Sequence, residues 1–196
     1  MEFAALNRRE SLILTAIEII NELGVQGLSV REVAKRQSMS NAAIFNHFKT
    51  KSDLVHAVLD HYSQYDSAII QSIRLKGLKS KDAIKYYVDS FYTYYENYPA
   101  ITAIVQSYEV LRCEPEFSEK VKKLFFSRST DINQMVEEAQ ASGQLRSDID
   151  SECITDTILG TCRSLCLKWR MNDFGFPLKE RVLYTLNSIL DSFSQK

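Results

Sequence analysis

The sequence predicts an all-α fold in two parts, a small three-helix N-terminal domain and a larger helical C-terminal body. Three observations carry that prediction. Apolar residues recur at helical spacing from Leu12 through Phe193. Only 6 Gly and 3 Pro interrupt 196 residues, which suits long helices joined by few irregular loops. Between Ser29 and Phe48 the string SVREVAKRQSMSNAAIFNHF reads as a capped helix, a tight turn and a second capped helix.

The first helix follows Asn7-Arg8-Arg9-Glu10, an N-cap with Glu three positions on, and carries Leu12, Ile13, Ala16, Ile17, Ile20 and Leu23 inward until Gly24 stops it. Ser29 caps the second helix, and Glu32 completes a capping box. Val30, Val33 and Ala34 face inward, with Ala34 small where two helix backbones cross; Arg31, Lys35 and Arg36 face outward. Gln37-Ser38-Met39 makes the turn, Met39 serving as a buried plug. Ser40 caps the third helix, in which Ile44 and Phe48 share a face at i, i+4.

This layout presents the N-terminal turn of the third helix to DNA base edges in the major groove. Asn41, Ala42, Ala43 and Asn46 are small or amide-bearing and can approach bases closely; Asn pairs with adenine and Ala touches a thymine methyl. Lys49, Thr50 and Lys51 suit phosphate oxygens. From Arg31 to Lys51 there are five bases (Arg31, Lys35, Arg36, Lys49, Lys51) and one acid (Glu32), although the whole chain carries −1. A local basic patch on a neutral protein suits a specific DNA site rather than indiscriminate coating of nucleic acid.

After Phe48, KTKSDLVHAVL opens a fourth helix with Leu54, Val55, Val58, Leu59 and Tyr62 on one side. The string from Glu10 to Leu59 resembles the DNA-binding domain of the tetracycline-repressor (TetR) family of bacterial regulators. The resemblance rests on the helix ending at Gly24, on SVREVAK, SMS, Phe45 and Phe48 around His47, and KTKSDLVHAVL. It implies an all-helical homodimer that binds a palindromic double-stranded DNA operator, usually as a repressor, and a C-terminal pocket whose small-molecule effector releases the DNA. The DNA-binding residues implied are Ser29, Arg31, Ser40, Asn41, Ala42, Ala43, Phe45, Asn46, His47, Lys49 and Lys51. The chain departs from the family at four places: Ser38 replaces the usual turn Gly, Asn41-Ala42 the usual Lys-Gly, Phe45 the phosphate-contacting Tyr, and Lys49 the usual Pro.

Residues 1–51 therefore form the expected DNA-binding domain and 52–196 the ligand-binding and dimerisation domain. The fourth helix runs from Ser52 to about Arg74 and links the two. A tyrosine-rich helix follows from Ser80 to Asn97, with Ile84, Tyr87, Val88, Phe91 and Tyr95 on one face. Pro99 and Pro115 start the next two helices, and the last pair runs from Ser151 to Met171 and from Pro177 to Phe193. Stripes of Ile154, Ile158 and Leu165, and of Val182, Leu186, Ile189 and Phe193, are the expected dimer interface, two helices from each subunit forming a four-helix seam. The same stripes would equally close the protomer's own core. Tyr87, Phe91, Tyr108, Phe125, Cys162 and Trp169 are the expected pocket lining, an aromatic wall for a largely apolar or planar effector, although such stripes also build plain core.

Enzyme chemistry is not indicated: no Gly-rich phosphate loop, nucleophile elbow or zinc-hydrolase pattern occurs. His56 and His61 diverge on a helix, and Cys162 and Cys166 at i, i+4 suit packing better than a disulfide, so no metal or cofactor is expected. No run of 18 apolar residues and no signal-peptide layout is present, so a cytoplasmic protein without membrane contact is expected. The expected function is a ligand-responsive DNA-binding regulator. The alternative is a small-molecule or protein-partner binding module on the same fold, with weak or no specific DNA binding.

Overall fold

A computed structural model describes residues 8–195, with the side chain of Asn41 excluded; the cap expected at Asn7 lies outside the described residues. Ten α-helices follow in order: α1 (Arg8–Gly27), α2 (Val30–Arg36), α3 (Asn41–Phe45), α4 (Lys51–Leu75), α5 (Ser80–Asn97), α6 (Thr102–Gln106), α7 (Tyr108–Arg112), α8 (Pro115–Ala141), α9 (Ser151–Met171) and α10 (Leu178–Ser192). A 3₁₀ turn at Pro99–Ile101 precedes α6, so the helix expected from Pro99 is broken into three short pieces. Gly24, at φ 68° and ψ 176°, breaks the helical path of α1 three residues before its end.

The chain divides into two compact units. The first contains residues 8–65 and 100–122, the second 66–99 and 123–195. This division crosses α4 after Tyr65 rather than falling at residue 51, and it assigns α6, α7 and the start of α8 to the first unit.

In the first unit, α1, α2 and α4 bury Leu12, Ile13, Ala16, Ile17, Ile20, Val33, Ala34, Leu54, Val58 and Leu59, as their spacing requires. Burying one of these Leu, Ile or Val side chains contributes about 1.5–3 kcal/mol. Tyr62 is fully buried and meets Tyr108 edge-on at 6.3 Å between ring centroids. In the second unit, α10 packs on α5 and α9. Its core holds Ile84, Tyr87, Val88, Phe91, Ile132, Val136, Ile154, Ile158, Val182 and Leu186.

Four helices end with one device, in which the chain turns left-handed and two amides bond back to the last turn. After α2 the Met39 amide donates to the Ala34 carbonyl and that of Ser38 to Lys35, with Ser38 at φ 52°. Gly77 after α4 and Gly143 after α8 do the same at φ 63° and 73°, where the missing Cβ removes the steric cost. Asp173 closes α9 at φ 48° without that relief. Among the described residues no helix is long and apolar enough to cross a membrane.

Four of the seven residues expected at the dimer seam are buried within the single chain. Ile154, Ile158 and Val182 have no accessible surface and Leu186 has 1%, so they close the protomer's own core. A side chain with no surface in the single chain has none to offer a second one. Leu165, Ile189 and Phe193 are half-buried. The outward apolar side chains of these helices are Leu167, Met171 and Tyr184.

Candidate functional site

The helix-turn-helix is held by its caps and by α1. The Ser29 hydroxyl accepts from the Glu32 amide at 3.1 Å, and Ser40 accepts from Ala43 at 3.2 Å. Each such cap stabilises by about 1 kcal/mol. Gln37 donates to Thr15 at 2.7 Å and its carbonyl accepts from Ser11 at 3.3 Å, fastening the turn onto α1. The Glu32 carboxylate accepts from Arg36 at 3.1 Å. Thr50 and Asp53 form a further cap at the start of α4: the carboxylate accepts from the Lys49 and Thr50 amides, both at 3.0 Å, while the Thr50 hydroxyl accepts from the Asp53 amide. These hydrogen bonds, the Thr50 amide first, hold the Asp53 carboxyl below its usual range.

The outward face then carries Ser40, Ala42, Phe45, Asn46, His47 and Lys49 exposed, with Ser29, Ala43 and Lys51 half-buried. Asn41 opens α3, but its side chain lies outside the described residues. Met39 is half-buried rather than a buried plug. Phe45 keeps 44% of its surface exposed, on a five-residue helix whose inward neighbour Ile44 has none. Among the described residues Arg31, Lys35, Lys49 and Lys51 form no salt bridge, whereas Arg36 is held by Glu22 at 2.8 Å as well as by Glu32. The basic patch is therefore one charge smaller than the residue count implies.

In the second unit, α5 stacks its aromatic rings. Tyr87 meets Phe91 at 4.8 Å, Phe91 meets Tyr95 at 6.1 Å, and Tyr92 meets Tyr95 at 5.3 Å between centroids. Over Phe91 lies the Arg128 guanidinium, 4.4 Å from the ring centroid. Arg128 forms a two-pronged pair with Asp66, Nε to Oδ2 at 2.9 Å and Nη2 to Oδ1 at 2.7 Å, and donates from Nη1 to the Tyr95 hydroxyl at 3.2 Å. The two side chains are only 13% and 11% exposed. Asp131 is half-buried; loss of solvent first, then the nearby Asp66 charge, raises its pKa.

Two polar atoms here are buried without a hydrogen-bond partner, the Tyr87 hydroxyl and the Trp169 indole Nε1. Burial pushes the Tyr87 phenol well above its usual pKa, so it stays a donor. Trp169 stands edge-on to Phe174 at 4.7 Å. Cys162 and Cys166 are buried, and loss of solvent pushes their thiols up to about 12 and about 11.

Of the expected pocket residues, Tyr87, Phe91, Cys162 and Trp169 lie in the interior of this unit. Tyr108 belongs to the other unit. Phe125 is 45% exposed beside Phe126, which removes it from an enclosed wall. The Asp66–Arg128 pair and Tyr92 were not anticipated. A signal existed: Asp66 interrupts an apolar stripe of α4 that includes Tyr62, Ile69 and Ile73, and Arg128 interrupts Leu124, Ile132 and Val136 on α8. Opposite charges on two apolar stripes point to a buried pair. A hollow of about 270 Å³ opens at the α4–α5 turn, lined by Ile73, Arg74, Leu78, Asp131 and Met135 among others.

Comparison with known proteins places this architecture. Residues 12–58 match the bacterial regulatory proteins of the tetR family, and residues 60–191 match the C-terminal region of YsiA-like proteins. The chain belongs to the TetR family of transcriptional regulators, a class of DNA-binding proteins and not of enzymes. Among its relatives is the fatty acid metabolism regulator protein of Bacillus subtilis, 21% identical over 168 residues, 85% of this chain and 86% of the relative. The structure of the ketosteroid transcriptional regulator KstR2 of Mycobacterium tuberculosis superposes with a TM-score of 0.83 at 17% identity, covering 97% of both chains. That of the transcriptional regulator FadR from Bacillus subtilis, in complex with stearoyl-CoA, gives 0.75 at 21% identity over 94% of this chain and 97% of that one.

Proposed function

We propose that this protein is a ligand-responsive repressor that binds a palindromic operator as a homodimer and is released by a long, largely apolar effector such as a fatty acyl thioester. The observation that carries the DNA-reading role is the outward face of α2 and α3. Cations at Arg31, Lys35, Lys49 and Lys51 flank a capped helix that shows Ala42, Phe45 and Asn46 to solvent. The cations fix phosphates, Asn46 reads a base edge, and Ala42 and Phe45 meet thymine methyl groups. Phe45 thus replaces a hydroxyl contact with an apolar one.

The effector class is supported by the aromatic wall of α5 and by the acyl-CoA bound in the Bacillus subtilis relative. Dimerisation uses the outer faces of α9 and α10, where Leu167, Met171 and Tyr184 are exposed at 43%, 75% and 74%. Effector entering the α5 wall shifts α4, which runs unbroken from Lys51 to Leu75, and with it the spacing of the two recognition helices. A coupling of about 1–3 kcal/mol changes operator affinity about 5- to 150-fold.

A gel-shift series on the DNA upstream of the gene, with and without stearoyl-CoA, is the test. Retention of that DNA well below the concentration needed for random duplex, and its release by the thioester, is expected. Equal affinity for both duplexes refutes the regulator; retention without release refutes the effector class.

A further inference from the structure

The hollow at the α4–α5 turn, about 270 Å³ in volume, lies within the second unit and apart from the aromatic rings of α5, which contributes only Ala83 to its lining. Its floor is apolar: Ile73 and Met135 are buried and Leu78 is half-buried. Its two sides carry opposite charge. Asp131 and Glu138, seven residues apart, share one face of α8, while Arg74 sits in the last turn of α4 and Lys79 at the cap of α5.

These charges face one another without pairing. Among the described residues Arg74, Lys79, Asp131 and Glu138 form no salt bridge. Yet Arg74 is near enough for its charge to counter part of the rise in the Asp131 pKa, a rise caused first by loss of solvent and then by Asp66. A ligand amine alone would leave the two cations unmatched, and a carboxylate alone would meet Asp131 and Glu138. A molecule with both charges matches both sides. An ammonium and a carboxylate on one carbon stand about 3 Å apart. A charge-assisted hydrogen bond of about 2.8 Å at each end gives a bent span of about 6–8 Å, longer than a direct salt bridge and short enough for the outer charges to feel each other. At about 30 Å³ for each water-sized group, the hollow holds roughly nine non-hydrogen atoms, the size of an aliphatic amino acid.

We propose that this hollow is a second small-molecule site, for a free α-amino acid with an aliphatic side chain. Its ammonium pairs with Asp131 and Glu138, its carboxylate with Arg74 and Lys79, and its side chain covers Ile73, Leu78 and Met135. The bound amino acid ties the end of α4 to α8. The inference is independent of the apolar effector proposed above.

The test is calorimetric titration of the full-length protein with L-leucine, isocaproate, isoamylamine and glycine. The last three lack, in turn, the ammonium, the carboxylate and the side chain of leucine. Leucine is expected to bind at least about tenfold more tightly than each of them, since each loses a charge-assisted hydrogen bond or a buried apolar group. Asp131→Asn weakens leucine at least about tenfold and leaves isocaproate unchanged or tighter; Arg74→Gln weakens leucine and leaves isoamylamine unchanged or tighter. Should either variant fail to fold, the series on the parent protein still decides. No saturable heat from leucine at millimolar concentrations overturns the site. Isocaproate or isoamylamine binding as tightly as leucine overturns recognition through two charges. Leucine binding undiminished in both variants overturns its place between α4 and α8.

Discussion

Replacing Arg128 with methionine keeps an unbranched apolar stem but leaves the Asp66 carboxylate buried and without its two-pronged partner. The Asp66 and Arg128 side chains are 11% and 13% exposed, so little water reaches them. Removing one member of such a pair costs about 3–5 kcal/mol, mostly from the stranded charge. The contacts of Arg128 with Phe91 and the Tyr95 hydroxyl go as well. Domains of ordinary stability have about 5–15 kcal/mol in total, so Arg128→Met should take a large share of what the second unit has. Urea unfolding followed by the emission of Trp169, which lies in that unit, measures it. The double variant Asp66→Leu with Arg128→Met replaces the pair by apolar side chains and should recover most of the loss. A loss below about 1 kcal/mol in the single variant, the size of an exposed pair, would refute the reasoning. So would a double variant no more stable than Arg128→Met.

Three further outcomes can be checked. Ser38→Gly should raise stability by about 0.5–1 kcal/mol, since the left-handed turn at φ 52° costs a side-chain-bearing residue about 1–2 kcal/mol and glycine returns part of that as chain entropy; thermal melts of Ser38→Gly and Ser38→Ala should move in opposite directions. Native protein at pH 8 should expose two fast-reacting thiols to Ellman's reagent, Cys113 and Cys153, and four only after unfolding, because burial keeps Cys162 and Cys166 protonated. Burial lowers the pKa of His61, so the folded protein binds its proton less readily than the unfolded chain. That contribution to stability is present above about pH 6.5 and is lost as the pH falls through the depressed folded value. His61→Asn should therefore lose less melting temperature than the parent between pH 7.5 and 5; parallel losses would remove His61 as the cause.

The helices were legible because their signals are local. Ser29, Ser40 and Pro115 mark starts, Gly77 and Gly143 mark ends, and the 3.6-residue period fills the span between. The exposed face of α2 and α3 was legible for the same reason, since exposure there follows from the period and the caps. Partners distant in sequence were not. Arg36 counts as a free cation until Glu22, on another helix, is seen to hold it. The stripe of Ile154, Ile158, Val182 and Leu186 has the same period whether it faces a second subunit or its own core, and only packing decides. Phe125 shares helical spacing with buried neighbours yet lies at the edge of the stripe, where it meets solvent.

The central claim is that two copies of α3 read two half-sites on one face of a duplex. Hydroxyl-radical footprinting of the upstream DNA measures it directly. The expected pattern is two protected stretches with centres about one helical turn, or a whole number of turns, apart, both lost together when stearoyl-CoA is added. A single protected stretch, or cleavage unchanged by the protein at concentrations that saturate the gel shift, would contradict the account.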